Sequence, residues 1–280
     1  MEGGDALALQ KQKKTGVWWD LNTCPVPAGV EAGRVVACIE SALEKEMGHG
    51  CQVYIYAMGN LEYISSDLLE QIGSSGIDVL HAPRRGNDLY HCLREWSEFN
   101  PHDVANVMLI SCDYTLADPC LFRLVEFTGF IAYPEDHRPL TLDRNDGQTV
   151  FVKEFVWETL LNDNMSRGEI VSKYDEPSYT CYICFDSYEA CGEFVTHLKS
   201  DEHKRELRYM VPKDSEFGKP KHFCQACDYP AYDYHNFLIH TQSEEHNLKN
   251  LAEDCESRKR SPQVHLLNER NKMQSVARGK

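Results

Sequence analysis

From Gly16 onward, short apolar runs alternate with amphipathic stretches. Val17-Trp18-Trp19, ending in Asp20, reads as a short buried strand. Val30 to Met47 carries apolar residues at helical spacing. Gln52 to Ala57 is β-branched and aromatic, Ser66 to Ile72 reads as a helix, and Ile77 to Leu80 as a third strand. Asn87 to Phe99 places Leu89, Cys92, Leu93 and Trp96 on one helical face. Val107 to Ile110 is the most apolar strand, and Phe130 to Tyr133 follows it. Between these two, Asp118-Pro119 predicts a helix to Phe127, with Asp as N-cap and Pro at the first position. Pro139 to Gln148 is polar and reads as loop, and Val152 to Leu161 as a last helix. Strands alternating with helices predict an α/β fold, a mainly parallel sheet with helices on both faces.

The second half carries an internal repeat. Cys181, Cys184, His197 and His203 recur 43 residues later as Cys224, Cys227, His240 and His246. Phe194 and Phe237 keep the same offset, as do Glu202 and Glu245. Two thiolates from one tight turn and two imidazoles from a following helix are a tetrahedral zinc set, so two structural Zn²⁺ are expected in two small ββα-type fingers. The two His of each unit are six apart, which puts them about 240° apart around a regular helix. The helix must therefore break between them, at Ser200-Asp201 and Ser243-Glu244.

Charge is uneven. The formal net charge is −15, so any nucleic-acid contact must be a local patch. Residues 1–170 hold 13 Lys and Arg against 26 Asp and Glu, and residues 171–280 hold 16 against 18. Basic residues cluster around the first finger at Lys199, Lys204, Arg205 and Arg208, although Glu193, Asp201, Glu202 and Glu206 offset them. The second finger has Lys249, with Lys219 and Lys221 before it. RNA or protein contact are both open for the fingers. No apolar run is long enough to span a bilayer, so no membrane partner is expected. The start Met1-Glu2-Gly3-Gly4-Asp5 is unlike a secretory signal, which sets the expected location as nucleus or cytoplasm and the cysteines as free thiols or ligands. Six of them, Cys24, Cys38, Cys51, Cys92, Cys112 and Cys120, are scattered at irregular spacings in the first half and read as small core residues.

Three acids recur at related places in the βα pattern. Asp20 follows the first strand, Asp88 opens the helix after the third, and Asp113 follows the fourth. Ligands of open parallel sheets bind beyond the carboxyl ends of the strands. Three carboxylates converging there would repel one another and call for a hard divalent ion such as Mg²⁺ or Mn²⁺, as in phosphodiester hydrolysis. Each acid also has a plainer role open to it: a helix-dipole partner for Asp88, a turn residue for Asp113, and a tight turn before Pro25 for Asp20.

Val17-Trp18-Trp19-Asp20-Leu21-Asn22-Thr23-Cys24-Pro25-Val26-Pro27 resembles the opening of the NYN domain. That domain is a branch of the PIN-like ribonucleases found in the meiosis regulator and mRNA stability factor family. Arg85-Gly86-Asn87-Asp88 resembles the family's second acidic motif, and Leu109-Ile110-Ser111-Cys112-Asp113 its Ser-x-Asp motif. The five-residue His gap resembles the fingers of double-stranded-RNA-binding proteins, and plant proteins similar to this chain pair an NYN domain with such fingers. The resemblance implies catalytic, metal-binding roles for Asp20, Asp88 and Asp113, with Mg²⁺ or Mn²⁺ as cofactor. Two positions depart from the pattern. Asn22 and Thr23 stand where the family has an acid and Asn, and Thr115 where it often has Asp or Asn. Asn22 and Thr115 are expected to support the site by orienting a metal-bound water.

The expected organisation is an NYN domain over 15–162, a linker over 163–178, fingers over 179–210 and 222–252 joined by 211–221, and a basic, disordered tail over 253–280. The resemblance implies a metal-dependent endoribonuclease acting on structured or messenger RNA, regulating gene expression after transcription. Two other classes stay open: a catalytically degenerate RNA-binding regulator, and a protein-interaction adaptor working through its fingers.

Overall fold

The computed structural model describes residues 14–48, 51–100, 105–113, 116–117, 129–138, 151–164, 178–210, 219–232 and 234–260. The helix expected from Asp118 to Phe127, Thr115, Cys120, the loop at 139–148 and residues 261–280 lie outside them. The chain divides into two compact units, residues 1–218 and 219–280.

In the first unit, β1 (Lys14–Asp20), β2 (Gln52–Gly59), β3 (Asp78–His81), β4 (Ala105–Ile110) and β5 (Gly129–Tyr133) form where the apolar runs predict them. Helices α1 (Ala32–Met47), α2 (Ser66–Ser74) and α3 (Gly86–Phe99) lie between the first four. Ser65 caps α2 by accepting the Leu68 N–H.

Val152 to Leu161 is not one helix. Phe151–Val156 is a strand, β6, and the helix α4 starts only at Trp157 and runs to Asn164. The β-branched and aromatic residues of Phe151-Val152-Lys153-Glu154-Phe155-Val156 favour an extended chain, and pairing with β5 decides it. Lys153 and Glu154 at the sheet edge supply the polarity that mimics an amphipathic helix.

The sheet has eight strands in the order β6-β5-β4-β1-β2-β3-β7-β8. The last two belong to the first Cys/His module: β7 (Tyr179–Cys181) pairs parallel with β3, with Val79 opposite Tyr179, and β8 (Asp186–Tyr188) returns antiparallel. Every other neighbouring pair is parallel. Chain order runs from β1 to β2 and β3 on one side and resumes with β4 on the other, so strand order reverses between β1 and β4.

Consecutive strand residues point to opposite faces. Trp18 meets Trp96 of α3 edge-on at 5.9 Å, and Trp19 meets Trp157 of α4 at the same distance. Both are fully buried, so the sheet carries helices on both faces and a core on each side. Module 1 is completed by α5 (Cys191–Lys199) and α6 (Asp201–Tyr209). Its strand β7 lies against α2, where Gly73 faces the Tyr179 phenol; a Cβ at residue 73 would collide with it.

The second unit repeats this motif with β9 (His222–Cys224), β10 (Tyr229–Ala231), α7 (Tyr234–Gln242) and α8 (Glu244–Arg260). Helix α8 thus continues through Arg260, into the stretch expected as tail. Among the described residues no helix is long and apolar enough to cross a membrane.

Candidate functional site

Among the described residues, chemistry gathers in a carboxylate crevice at the end of β1 and β4 and in each of the two Cys/His modules. In the crevice, Asp20 closes β1 and Asp113 follows β4, which brings both to the point where strand order reverses. Such points are where parallel α/β sheets bind ligands.

The two acids are joined by Arg85. Its guanidinium donates to Asp20 at 3.1 and 3.2 Å and, through Nε, to Asp113 at 2.7 Å. Arg85 is buried, and its backbone is left-handed, with φ 57°. That conformation costs a non-glycine residue about 1–3 kcal/mol, here offset by the ion pairs it makes possible.

Asp20 is fully buried and saturated. Besides Arg85, it accepts the Asn22 backbone N–H at 3.0 Å, the Thr23 hydroxyl at 2.7 Å and the Ser111 hydroxyl at 2.7 Å. Ser111 in turn accepts the Asp113 N–H, so one hydroxyl holds both acids in place. Asn22 braces the crevice from the side: its amide exchanges two hydrogen bonds with the Asn60 backbone, at 2.7 and 3.0 Å. This approach needs Gly59, whose φ is +143° and where a Cβ would run into the Asn22 amide.

Asp88 does not join the other two acids. It is buried at the start of α3, where Arg84 donates to it from its backbone N–H and from Nε, both at 2.8 Å. Burial pushes its carboxyl above the usual range, against the pull of the Arg84 charge and hydrogen bonds. This bonding starts the helix much as a capping box does. Arg84 also donates to the Tyr182 carbonyl at 3.1 Å, in the knuckle of module 1.

Sequence reasoning meets Arg85 and Ser111 only as members of motifs, without a role of their own, and does not single out Arg84. A pair of arginines at the end of a buried strand, immediately before Gly86-Asn87-Asp88, is the signal that could have found them: burying that much charge demands acidic partners.

In module 1, ligand atoms of Cys181, Cys184, His197 and His203 lie within 4.8 Å of one another, as do those of Cys224, Cys227, His240 and His246 in module 2. Either set could hold a metal ion. His203 Nδ1 faces the two sulfurs at 3.6 and 3.5 Å, and His246 Nδ1 does the same at 3.5 and 3.4 Å. His197 Nε2 is buried without a hydrogen-bond partner among the described residues.

The expected helix breaks fall at the serines. Ser200 is extended between α5 and α6 and caps α6 by accepting the His203 N–H at 3.1 Å; Ser243 does the same for His246 at 3.2 Å. The residue after the second Cys is left-handed in both modules, Phe185 with φ 60° and Asp228 with φ 53°.

Module 1 is tied to the sheet by more than strand pairing. Glu62, after β2, lies 3.3 Å from His203 Nε2, and the ring of His81, at the end of β3, meets His203 edge-on at 5.0 Å. His81 is fully buried and accepts the Leu61 N–H, and burial holds its pKa well below the ordinary value. The basic residues Lys199, Lys204, Arg205 and Arg208 lie at the end of α5 and along α6, with Arg205 3.5 Å from Glu202.

No protein-family model and no curated protein matches this sequence.

Proposed function

We propose that the chain is a divalent-metal-dependent endoribonuclease of the PIN-like, NYN type, acting on structured or messenger RNA, with a structural Zn²⁺ in each Cys/His module. One observation carries the nuclease reading: Asp20 and Asp113 sit at the carboxyl ends of adjacent parallel strands and share a single cationic group. Arg85 stands in for a cation there. The surrounding donors are oxygens, the set that Mg²⁺ and Mn²⁺ prefer. Asp20 and Asp113 would hold the ion. Bound there, it would lower the pKa of an attacking water and offset charge on the leaving oxygen. Ser111 and Thr23 keep Asp20 oriented, and Asn22 fixes the turn that presents it. A role for Asp88 as a third ligand rests on the sequence resemblance, because its carboxylate is engaged by Arg84.

The zinc assignment rests on donor chemistry and spacing. A tetrahedral ion with bonds of about 2.3 Å to sulfur and 2.05 Å to nitrogen holds such ligands about 3.5 Å apart. The sulfur–nitrogen distances of 3.4–3.6 Å in both modules match that edge.

Arg85 also favours a second reading, an RNA-binding regulator without cleavage. A buried guanidinium shared by both acids already offsets one of their two charges and so lessens the electrostatic demand for a divalent ion. Cleavage of labelled single-stranded and structured RNA, with and without Mn²⁺ or Mg²⁺, separates the two. Metal-dependent cleavage that is lost in Asp20→Asn and Asp113→Asn supports the nuclease. RNA binding without cleavage, in both the natural chain and Arg85→Ala, supports the regulator.

A further inference from the structure

At its far end from the acids, α3 leaves a cavity against the sheet. Lys14, which opens β1, lines it, whereas Asp20 closes the same strand about 20 Å away. The cavity holds about 340 Å³, within the range of small-molecule sites.

Its walls are aromatic. Trp18 and Tyr56 stack at 5.4 Å, and Tyr54 and Tyr56 meet Trp96 edge-on at 5.6 and 6.4 Å. Tyr182 of module 1 lines it too, and Phe99, 80% exposed, edges it. An aliphatic ligand would satisfy such walls, but not the polar groups set into them. Trp96 is 7% exposed, and its indole N–H is buried with no acceptor among the described residues. Among the described residues the Trp18 N–H has only the Cys92 sulfur, a weak acceptor, beside it. Buried donors left unmet are costly and rare. The Glu95 carboxylate, which accepts the Tyr182 hydroxyl at 3.1 Å, offers an acceptor. Lys14 Nζ stands 5.9 Å over the Tyr54 ring and offers a positive charge.

The complementary ligand is planar and π-rich, has acceptor atoms for the indole N–H groups and a donor for Glu95, and carries an anion for Lys14. A nucleotide meets all four demands: ring nitrogens and carbonyls accept, ring or exocyclic N–H groups donate, and the phosphate is the anion. Stacking of bases on aromatic side chains is the usual way unpaired RNA is held. We propose that this cavity binds a nucleotide, free or as an unstacked residue of an RNA strand, with its base among Tyr54, Tyr56 and Trp96 and its phosphate at Lys14. The site is separate from the acid crevice and does not depend on cleavage there.

The test uses the full, zinc-loaded chain. Adenosine, guanosine, cytidine and uridine monophosphates, the matching nucleosides and inorganic phosphate are titrated and followed by tryptophan fluorescence and calorimetry. Monophosphates should bind and quench. Lys14→Ala should weaken monophosphates several-fold and leave nucleosides unchanged. Trp96→Phe, which keeps a ring and removes the N–H, should weaken both by about two- to tenfold, the value of one hydrogen bond. Short single-stranded RNA that binds far more tightly than any monophosphate, and crosslinks to Tyr54 or Trp96, identifies the strand as the source; equal affinities identify a free nucleotide. No monophosphate binding at millimolar concentration overturns the proposal. So does binding that neither variant changes while both keep the parent melting temperature. Asp20→Asn should leave this binding intact, so failure of the nuclease reading and failure of this one are distinguishable.

Discussion

His203 Nε2 lies 3.3 Å from Glu62 Oε1, so a candidate metal ligand in module 1 leans on a carboxylate from the loop after β2. His246, its counterpart in module 2, has instead the side-chain amide of Asn250, 2.7 Å from Nε2. A carboxylate behind a metal-bound imidazole fixes the ring and raises its basicity. Glu62→Gln should therefore lower zinc affinity in module 1 by about 10–100-fold and leave module 2 unchanged. Titration with a chromophoric chelator should then show one zinc leaving early and one late. A parallel shift of both would place the effect elsewhere.

The Arg85 bridge sets the sign of a second experiment. Bare, crowded carboxylates would gain stability when one is neutralised. With the guanidinium between them, Asp20→Asn instead keeps the Arg85–Asp113 pair but strips away the buried anion to which Arg85, Thr23 and Ser111 all donate. The variant should lose about 3 kcal/mol in urea unfolding followed in magnesium-free, zinc-loaded buffer. Asp113→Asn should lose less, since its carboxylate is partly exposed. Arg85→Ala should also be destabilised, and Mn²⁺ should restore its melting temperature if the acids can share an ion. No recovery with Mn²⁺ would argue against a metal at this place.

Gly73 tests how module 1 is joined to the sheet. A Cβ there meets the Tyr179 hydroxyl first. Gly73→Ala should cost about 1–3 kcal/mol, as overpacking does. Adding Tyr179→Phe should recover part of this by removing the obstructing oxygen. Chemical unfolding of the single and double variants measures the recovery, and strict additivity would mean the two do not meet.

For RNA, Lys204→Ala with Arg205→Ala should weaken binding evenly across sequences and reduce the salt slope by as much as about 2, one for each phosphate that is no longer neutralised. Lys249→Ala should matter less, since module 2 has fewer basic neighbours. Salt titrations of the variants decide the ranking. If Lys249→Ala costs more, module 2 is the principal RNA-binding module.

What is legible in the sequence is what repeats locally. The strand cores at Val17-Trp18-Trp19 and Val107 to Ile110 announce themselves by apolar runs, and the helix breaks at Ser200 and Ser243 follow from the angle between the histidines. The ends of β1 and β4, with Asp20 and Asp113, can be placed from the βα alternation alone. Long-range pairing is not legible. Nothing within Tyr179-Thr180-Cys181 says that it will lie beside Val79-Leu80-His81, a hundred residues earlier. The strand at Phe151–Val156 escapes for the same cause, because its partner β5, not its own pattern, makes it extended. Arg85 stands out only as part of a motif. Its role depends on a left-handed turn that aims the side chain back into the crevice, and backbone handedness leaves little trace at a non-glycine residue.

The pairing of β7 with β3 has a consequence for solubility. Without module 1, β3 would end the sheet with a row of free amide and carbonyl groups, ready to recruit a strand from another molecule. The hairpin covers that row and ends in a strand of three residues, too short to template much. At the opposite edge, β6 carries Lys153 and Glu154 exposed, a charged guard of the same kind. Loss of the proposed ion from the module 1 knuckle would then do more than unravel the knuckle itself. It would uncover a sticky margin on an otherwise intact domain, so zinc starvation should appear first as self-association.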